Sequence, residues 1–111
     1  MEKMEKVLKA TVINTEDIIA LEGEEVVFDW PDYSILPVGV LDRDGNLLGY
    51  LGRNDATCVP GSTTGQAICE MVEQGWVVKQ IKVTGTTYYR THNRKLIVEA
   101  SLTKVEEYVV V

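Results

Sequence analysis

Residues 76–95 carry Lys79, Lys82, Arg90, Arg94 and Lys95, with His92 and the rings of Trp76, Tyr88 and Tyr89, and no acidic side chain. Cations neutralise a phosphate backbone, and exposed tyrosines stack on unpaired bases. The stretch therefore predicts a face for single-stranded nucleic acid, with candidate contacts at Lys79, Lys82, Tyr88, Tyr89, Arg90, Arg94 and Lys95. A second reading stays open: a plain basic face that balances an acidic first half, with the tyrosines packed in the core.

Asp42-Arg43-Asp44-Gly45-Asn46 has the opening of a calcium loop. A hand-type loop needs a bidentate carboxylate at its twelfth position, which here is Arg53, so the segment reads as a hairpin turn. Pro60-Gly61-Ser62-Thr63-Thr64-Gly65 precedes a helix. Its N–H groups either cradle a phosphate or sulfate, or the segment simply caps the helix. The lysine of a P-loop is missing, so nucleotide hydrolysis is not supported. Cys58, Cys69 and His92 follow no nucleophile signature. Two cysteines and one histidine are too few for a structural zinc site. No carboxylates stand in a pair spaced for acid–base work. The expectation is a non-enzymatic chain with no catalytic residues, no cofactor and no metal.

The elements that would position these residues are mostly short strands. Residues 6–14 alternate, with Leu8, Ala10 and Val12 on one face, and residues 25–30 place Val26, Phe28 and Trp30 together. Pro31 and Pro37 bracket a loop, since neither donates to a ladder. Residues 36–41 and 46–51 form two strands around the Asp-Gly turn. Thr63 followed by Gln66 forms a capping box at the start of a helix over 63–74. Gly75 terminates that helix, and Ile68, Met71 and Val72 are its apolar stripe. Residues 76–84 form a strand with Val77, Ile81 and Val83 on one side, and residues 85–90 extend its ladder. Residues 95–102 place Leu96, Val98, Ala100 and Leu102 inward, and residues 107–111 read as a last strand. About six short antiparallel strands, with one helix after the central hairpin, predict a mainly β fold: a small oligonucleotide-binding-like barrel that hides its own edges.

At 111 residues the chain fits one domain, residues 1–111. Hydrophobic residues at 45% and charged residues at 25% exclude a disordered chain. No apolar run approaches the roughly 20 residues of a membrane helix. The charged Met1-Glu2-Lys3-Met4-Glu5-Lys6 start lacks an apolar signal core, so a cytoplasmic chain with reduced thiols and no membrane partner is expected. Residues 1–60 hold 12 acids and 5 bases, whereas residues 61–111 hold 5 acids and 6 bases. A net charge of −6 opposes non-specific nucleic-acid binding by the whole molecule and leaves a local basic face open.

Three stretches, taken in order, resemble the HIRAN domain. They are Ile19-Ala20-Leu21-Glu22-Gly23-Glu24-Glu25-Val26-Val27-Phe28, then Val38-Gly39-Val40-Leu41-Asp42-Arg43-Asp44-Gly45-Asn46-Leu47-Leu48-Gly49-Tyr50-Leu51-Gly52-Arg53 with Ala56, then Met71-Val72-Glu73-Gln74-Gly75. The resemblance spans roughly residues 6–102. HIRAN domains adopt an oligonucleotide-binding-like barrel. In eukaryotic remodelling and fork-reversal enzymes they hold the 3′ end of single-stranded DNA, and bacterial copies stand alone or beside nucleases and helicases. The resemblance implies a binding role for Tyr50, at the family's Tyr/His strand position, and for Arg53, at its basic position. Where the family has Asn-Pro-Tyr-Asp-x-Asn-Ala, this chain reads Pro31-Asp32-Tyr33-Ser34-Ile35-Leu36-Pro37. The expected function is a binding module for single-stranded nucleic acid. The alternative is a protein-interaction or homo-oligomerisation module, with strands such as Val109-Val110-Val111 pairing between subunits.

Overall fold

The computed structural model describes residues 2–14, 22–30, 38–54, 57–88 and 94–106. They form six strands and one helix in the order β1 (Glu2–Asn14), β2 (Glu25–Asp29), β3 (Gly39–Leu41), β4 (Leu47–Leu51), α1 (Gly65–Glu73), β5 (Val77–Tyr88) and β6 (Arg94–Glu106). The strands close into an antiparallel barrel in the order β1-β4-β3-β2-β5-β6. This is the small mainly β barrel with one helix that the alternating patterns predict. The predicted strand over 107–111 lies outside the described residues.

Alternation fills the interior. Ala10 and Val12 of β1 face Val98 and Leu96 of β6 across the ladder, and all four are completely buried. Each buried valine or leucine is worth about 1.5–3 kcal/mol relative to exposure. Val26 and Phe28 of β2 and Val40 of β3 complete the wall. Helix α1 adds Ile68, at 0% exposure.

The helix begins one residue later than its capping box suggests. Thr64 is the N-cap and its Oγ1 accepts from the Ala67 N–H at 3.1 Å, so Gln66 does not stand at the third helical position. Thr63 belongs to the sheet instead: it bridges to Ala10, and its N–H donates to the Lys9 carbonyl at 2.6 Å. Gly75 ends the helix at φ 101°, a left-handed conformation that glycine adopts without strain.

Three bulges interrupt simple alternation, at Lys79 and Thr84 of β5 and at Leu48 of β4. Lys79 is an extra residue in β5, because Val78 pairs with Leu102 and Gln80 with Ser101. The extra residue reverses the phase, so Val78 packs on the core and Val77, expected inside with Ile81 and Val83, is 52% exposed. Leu48 is extra in β4, between the Val40–Gly49 and Leu41–Leu47 pairs. Leu48 and Leu51 therefore both point inward, and Tyr50 points out.

The strands differ in length. β1 and β6 have 13 residues and β5 has 12, whereas β2, β3 and β4 have 3 to 5. β1 meets β4 only through Val12, Ile13 and Asn14, but meets β6 from Glu2 to Ile13. The barrel is closed at one end and continues as a three-stranded sheet, β1–β6–β5, at the other.

Candidate nucleic-acid interface

The described candidate side chains do not converge. Lys79 and Lys82 are exposed on β5, while Tyr50 and Arg53 are exposed on and just after β4. In the closed strand order, β4 and β5 are separated by two strands in either direction. Tyr88 and Arg94 pair at the end of the β5–β6 hairpin. Tyr89 and Arg90, with His92, lie outside the described residues. Lys95 does not belong to an exposed basic face. It is 6% exposed, and its Nζ donates to the Thr57 carbonyl at 3.5 Å. The loop after β4 lies over this part of the sheet, where the Thr11 hydroxyl also accepts from the Val59 N–H and bonds Ser62 Oγ.

The acid-free stretch of sequence is not acid-free in the sheet. Lys82 stands opposite Glu99 on one side and Glu25 on the other, and Glu99 stands opposite Lys9. Lys9, Glu99, Lys82 and Glu25 thus form a cross-strand row of alternating sign, the arrangement that stabilises neighbouring strands. Glu25 also accepts from Gln80 Nε2 at 2.7 Å. Lys82 stands in this row, whereas Lys79, at the bulge, does not.

Beside Lys79 the sheet opens. β2 and β5 pair through Glu25–Lys82 and Val26–Ile81 and then diverge, because the bulge at Lys79 turns β5 away. The result is a groove of about 230 Å³ lined by Val27, Phe28, Trp30, Val78, Lys79, Gln80 and Ile81. Trp30 is 37% exposed and meets Phe28 edge to face, with ring centroids 5.6 Å apart at 87°. The buried Phe28 ring fixes the indole at the groove's rim. Sequence reading grouped Trp30 with the core because it continues the Val26–Phe28 alternation. No local signal marks it as exposed, since the opening depends on a bulge in another strand.

The other candidate sites resolve differently. The loop before α1 is not an anion cradle. The N–H of Ser62 goes to Val59, that of Thr63 to Lys9, that of Gly65 to Gly52, that of Gln66 to Arg53 and that of Ala67 to Thr64 Oγ1. Asp42 spends its carboxylate on its own turn, accepting from the Asn46 N–H at 2.8 Å, Asn46 Nδ2 at 3.0 Å and the Asp44 N–H at 2.9 Å. These bonds, the Asn46 amide first, hold its carboxyl below the ordinary value of 3.8. Cys58 is buried and outside any disulfide, and its Sγ donates to the Gly52 carbonyl at 3.3 Å. Cys69 packs against the core from the helix. Burial, aided by Glu73, pushes its thiol above the ordinary value of 9.0. Among the described residues no three His, Cys, Asp or Glu side chains gather into a metal site, and no helix is long and apolar enough to cross a membrane.

Comparison of the chain with protein-family models, with curated proteins and with solved structures returns no match.

Proposed function

We propose that this chain is a non-enzymatic binding module, a HIRAN-like barrel that takes single-stranded nucleic acid along the groove between β2 and β5. The observation that carries this reading is the pairing of an exposed indole, Trp30, with an exposed cation, Lys79, along one groove. An aromatic ring stacks on any unpaired base, and a neighbouring ammonium neutralises the phosphate beside it. Of the residues expected to bind from sequence, Lys79 remains in this site, Lys82 flanks it, and Tyr50 and Arg53 lie across the barrel.

The chain reports on the site by itself. It has two tryptophans, and Trp76 is only 7% exposed, so a base stacking on Trp30 quenches the accessible part of the emission. A titration with a short oligothymidylate should quench fluorescence at low salt and lose affinity steeply as salt rises, because neutralised phosphates release counterions. Trp30→Ala should abolish the quench and weaken binding by about 1–3 kcal/mol. Lys79→Ala should lower the salt slope by about one. Lys82→Ala should do less, because Lys82 sits between two carboxylates. Absence of binding at low salt overturns the function. Binding that survives Trp30→Ala and fails with Tyr50→Ala or Arg53→Ala overturns the groove.

A further inference from the structure

The free edge of β1 carries a different message. Lys9 and Thr11 turn their carbonyls to the edge away from β6, where they accept from the N–H of Thr63 at 2.6 Å and of Gly52 at 2.8 Å. The register of β1 with β6 is unbroken, so Lys3, Glu5 and Val7 turn their N–H and C=O groups to that same edge. No described residue takes them. An exposed row of unpaired backbone groups is a template for another strand.

The side chains on this edge say which strand. Residues 2–6 read Glu-Lys-Met-Glu-Lys. Set against a second copy, antiparallel and centred on Met4, Glu2 falls opposite Lys6, Lys3 opposite Glu5 and Met4 opposite itself. Every charge then faces its opposite. In this register Lys3 and Glu5 form the pairs that exchange both backbone bonds, as the direction of their N–H and C=O groups requires. A slip of two residues either way puts Lys3 on Lys3 or Glu5 on Glu5, and like charges directly opposite are destabilising. Three valines are exposed on the outer face beside this edge. Val7 is 61%, Val77 52% and Val105 53% exposed, and they surround Thr103 on the β1–β6–β5 sheet.

We infer that the edge of β1 is a homodimer interface, on which a second copy of this chain adds its own β1 antiparallel about a two-fold axis at Met4. The two barrels then share one six-stranded sheet, β5-β6-β1 continued by the partner's β1-β6-β5. The charges on this edge serve as a register code, since they attract a second copy in one alignment only. The inference is independent of nucleic-acid binding, because the groove between β2 and β5 lies on another edge.

The experiment is sedimentation of the wild-type chain and two exposed-site variants over a dilution series. The wild type should sediment at twice 12.4 kDa and dissociate on dilution. Glu5→Lys sets Lys3 against lysine, and Lys3→Glu sets Glu5 against glutamate. Each alone should raise the dimer dissociation constant about tenfold or more. The two variants mixed in equal amounts face lysine with glutamate at both pairs and should regain the wild-type dimer. Both side chains are exposed and their ion pair, at 3.5 Å, lies on the surface, so the variants should fold. Amide exchange should slow at Lys3, Glu5 and Val7 as concentration rises. A wild type of 12.4 kDa throughout the series overturns the inference. So does a dimer that both single variants leave intact, or a mixture that does not recover.

Discussion

The closed end of the barrel and its open end share three strands, β1, β5 and β6, yet they are held together differently. At the closed end Val12 has Leu96 on one side and Leu51 on the other, and all three are buried. At the open end Lys3 to Val7 have a partner on one side, Met4 and Leu8 are partly buried, and the Lys6 ammonium lies 5.1 Å from the Trp76 ring centroid. The closed end seals its backbone bonds inside one chain and excludes water. The open end leaves bonding groups and three valines on its surface. The first region holds most of the fully buried core, whereas the second carries the exposed backbone edge and valines that the proposed dimer would use.

Stability measurements can break that contrast. Leu96→Ala, at the closed end of β6, should cost about 2–5 kcal/mol, the loss for a buried leucine whose surroundings relax only partly. Val7→Ala, on the neighbouring strand at the open end, should change stability of the monomer by no more than about 0.5 kcal/mol. Denaturant unfolding of both under monomeric conditions decides the matter, and equal losses would mean the two ends are one cooperative core.

Thr64→Ala should cost about 1 kcal/mol, because the Ala67 N–H loses its cap. Thr63→Ala should cost less, since its contribution to the sheet is made by backbone that alanine retains. Reversed magnitudes in thermal melts would restore the capping box centred on Thr63.

The smallest effect concerns pH. Asp42 has a depressed value in the folded chain, so its contribution to the β3–β4 turn is fully present above the ordinary value of 3.8 and is lost as pH falls through the lower folded value. The wild type should therefore lose slightly more stability than Asp42→Asn across that acid window. Parallel curves would show that the turn holds without the charge.

Much of the fold was legible because it is written in local pattern. Alternation placed Leu96, Val98, Ala100 and Leu102 inward, and the structure buries all four. Asp-Gly marked the β3–β4 turn, where Gly45 has φ 87°. The candidate site was far less legible. Reading along the chain joined Lys82 and Lys95 to one basic face, but sheet neighbours supply Glu25 and Glu99 to Lys82, and a loop buries Lys95. Charge neighbourhoods in a sheet are set across strands, by residues tens of positions away in sequence.

By itself, the sequence determined most of the strands, the helix, the inward face of β6 and the self-complementary charges of residues 2–6, because period-two hydrophobicity, turn chemistry and side-chain charge are local properties. Only the tertiary structure decided that Lys79 and Leu48 are bulged, that Trp30 stands at the rim of an open groove, and that β1 outruns its partner β4 and leaves an edge exposed. Each of these depends on how many residues two distant strands set against one another. That count is fixed by packing of the closed barrel rather than by either strand alone.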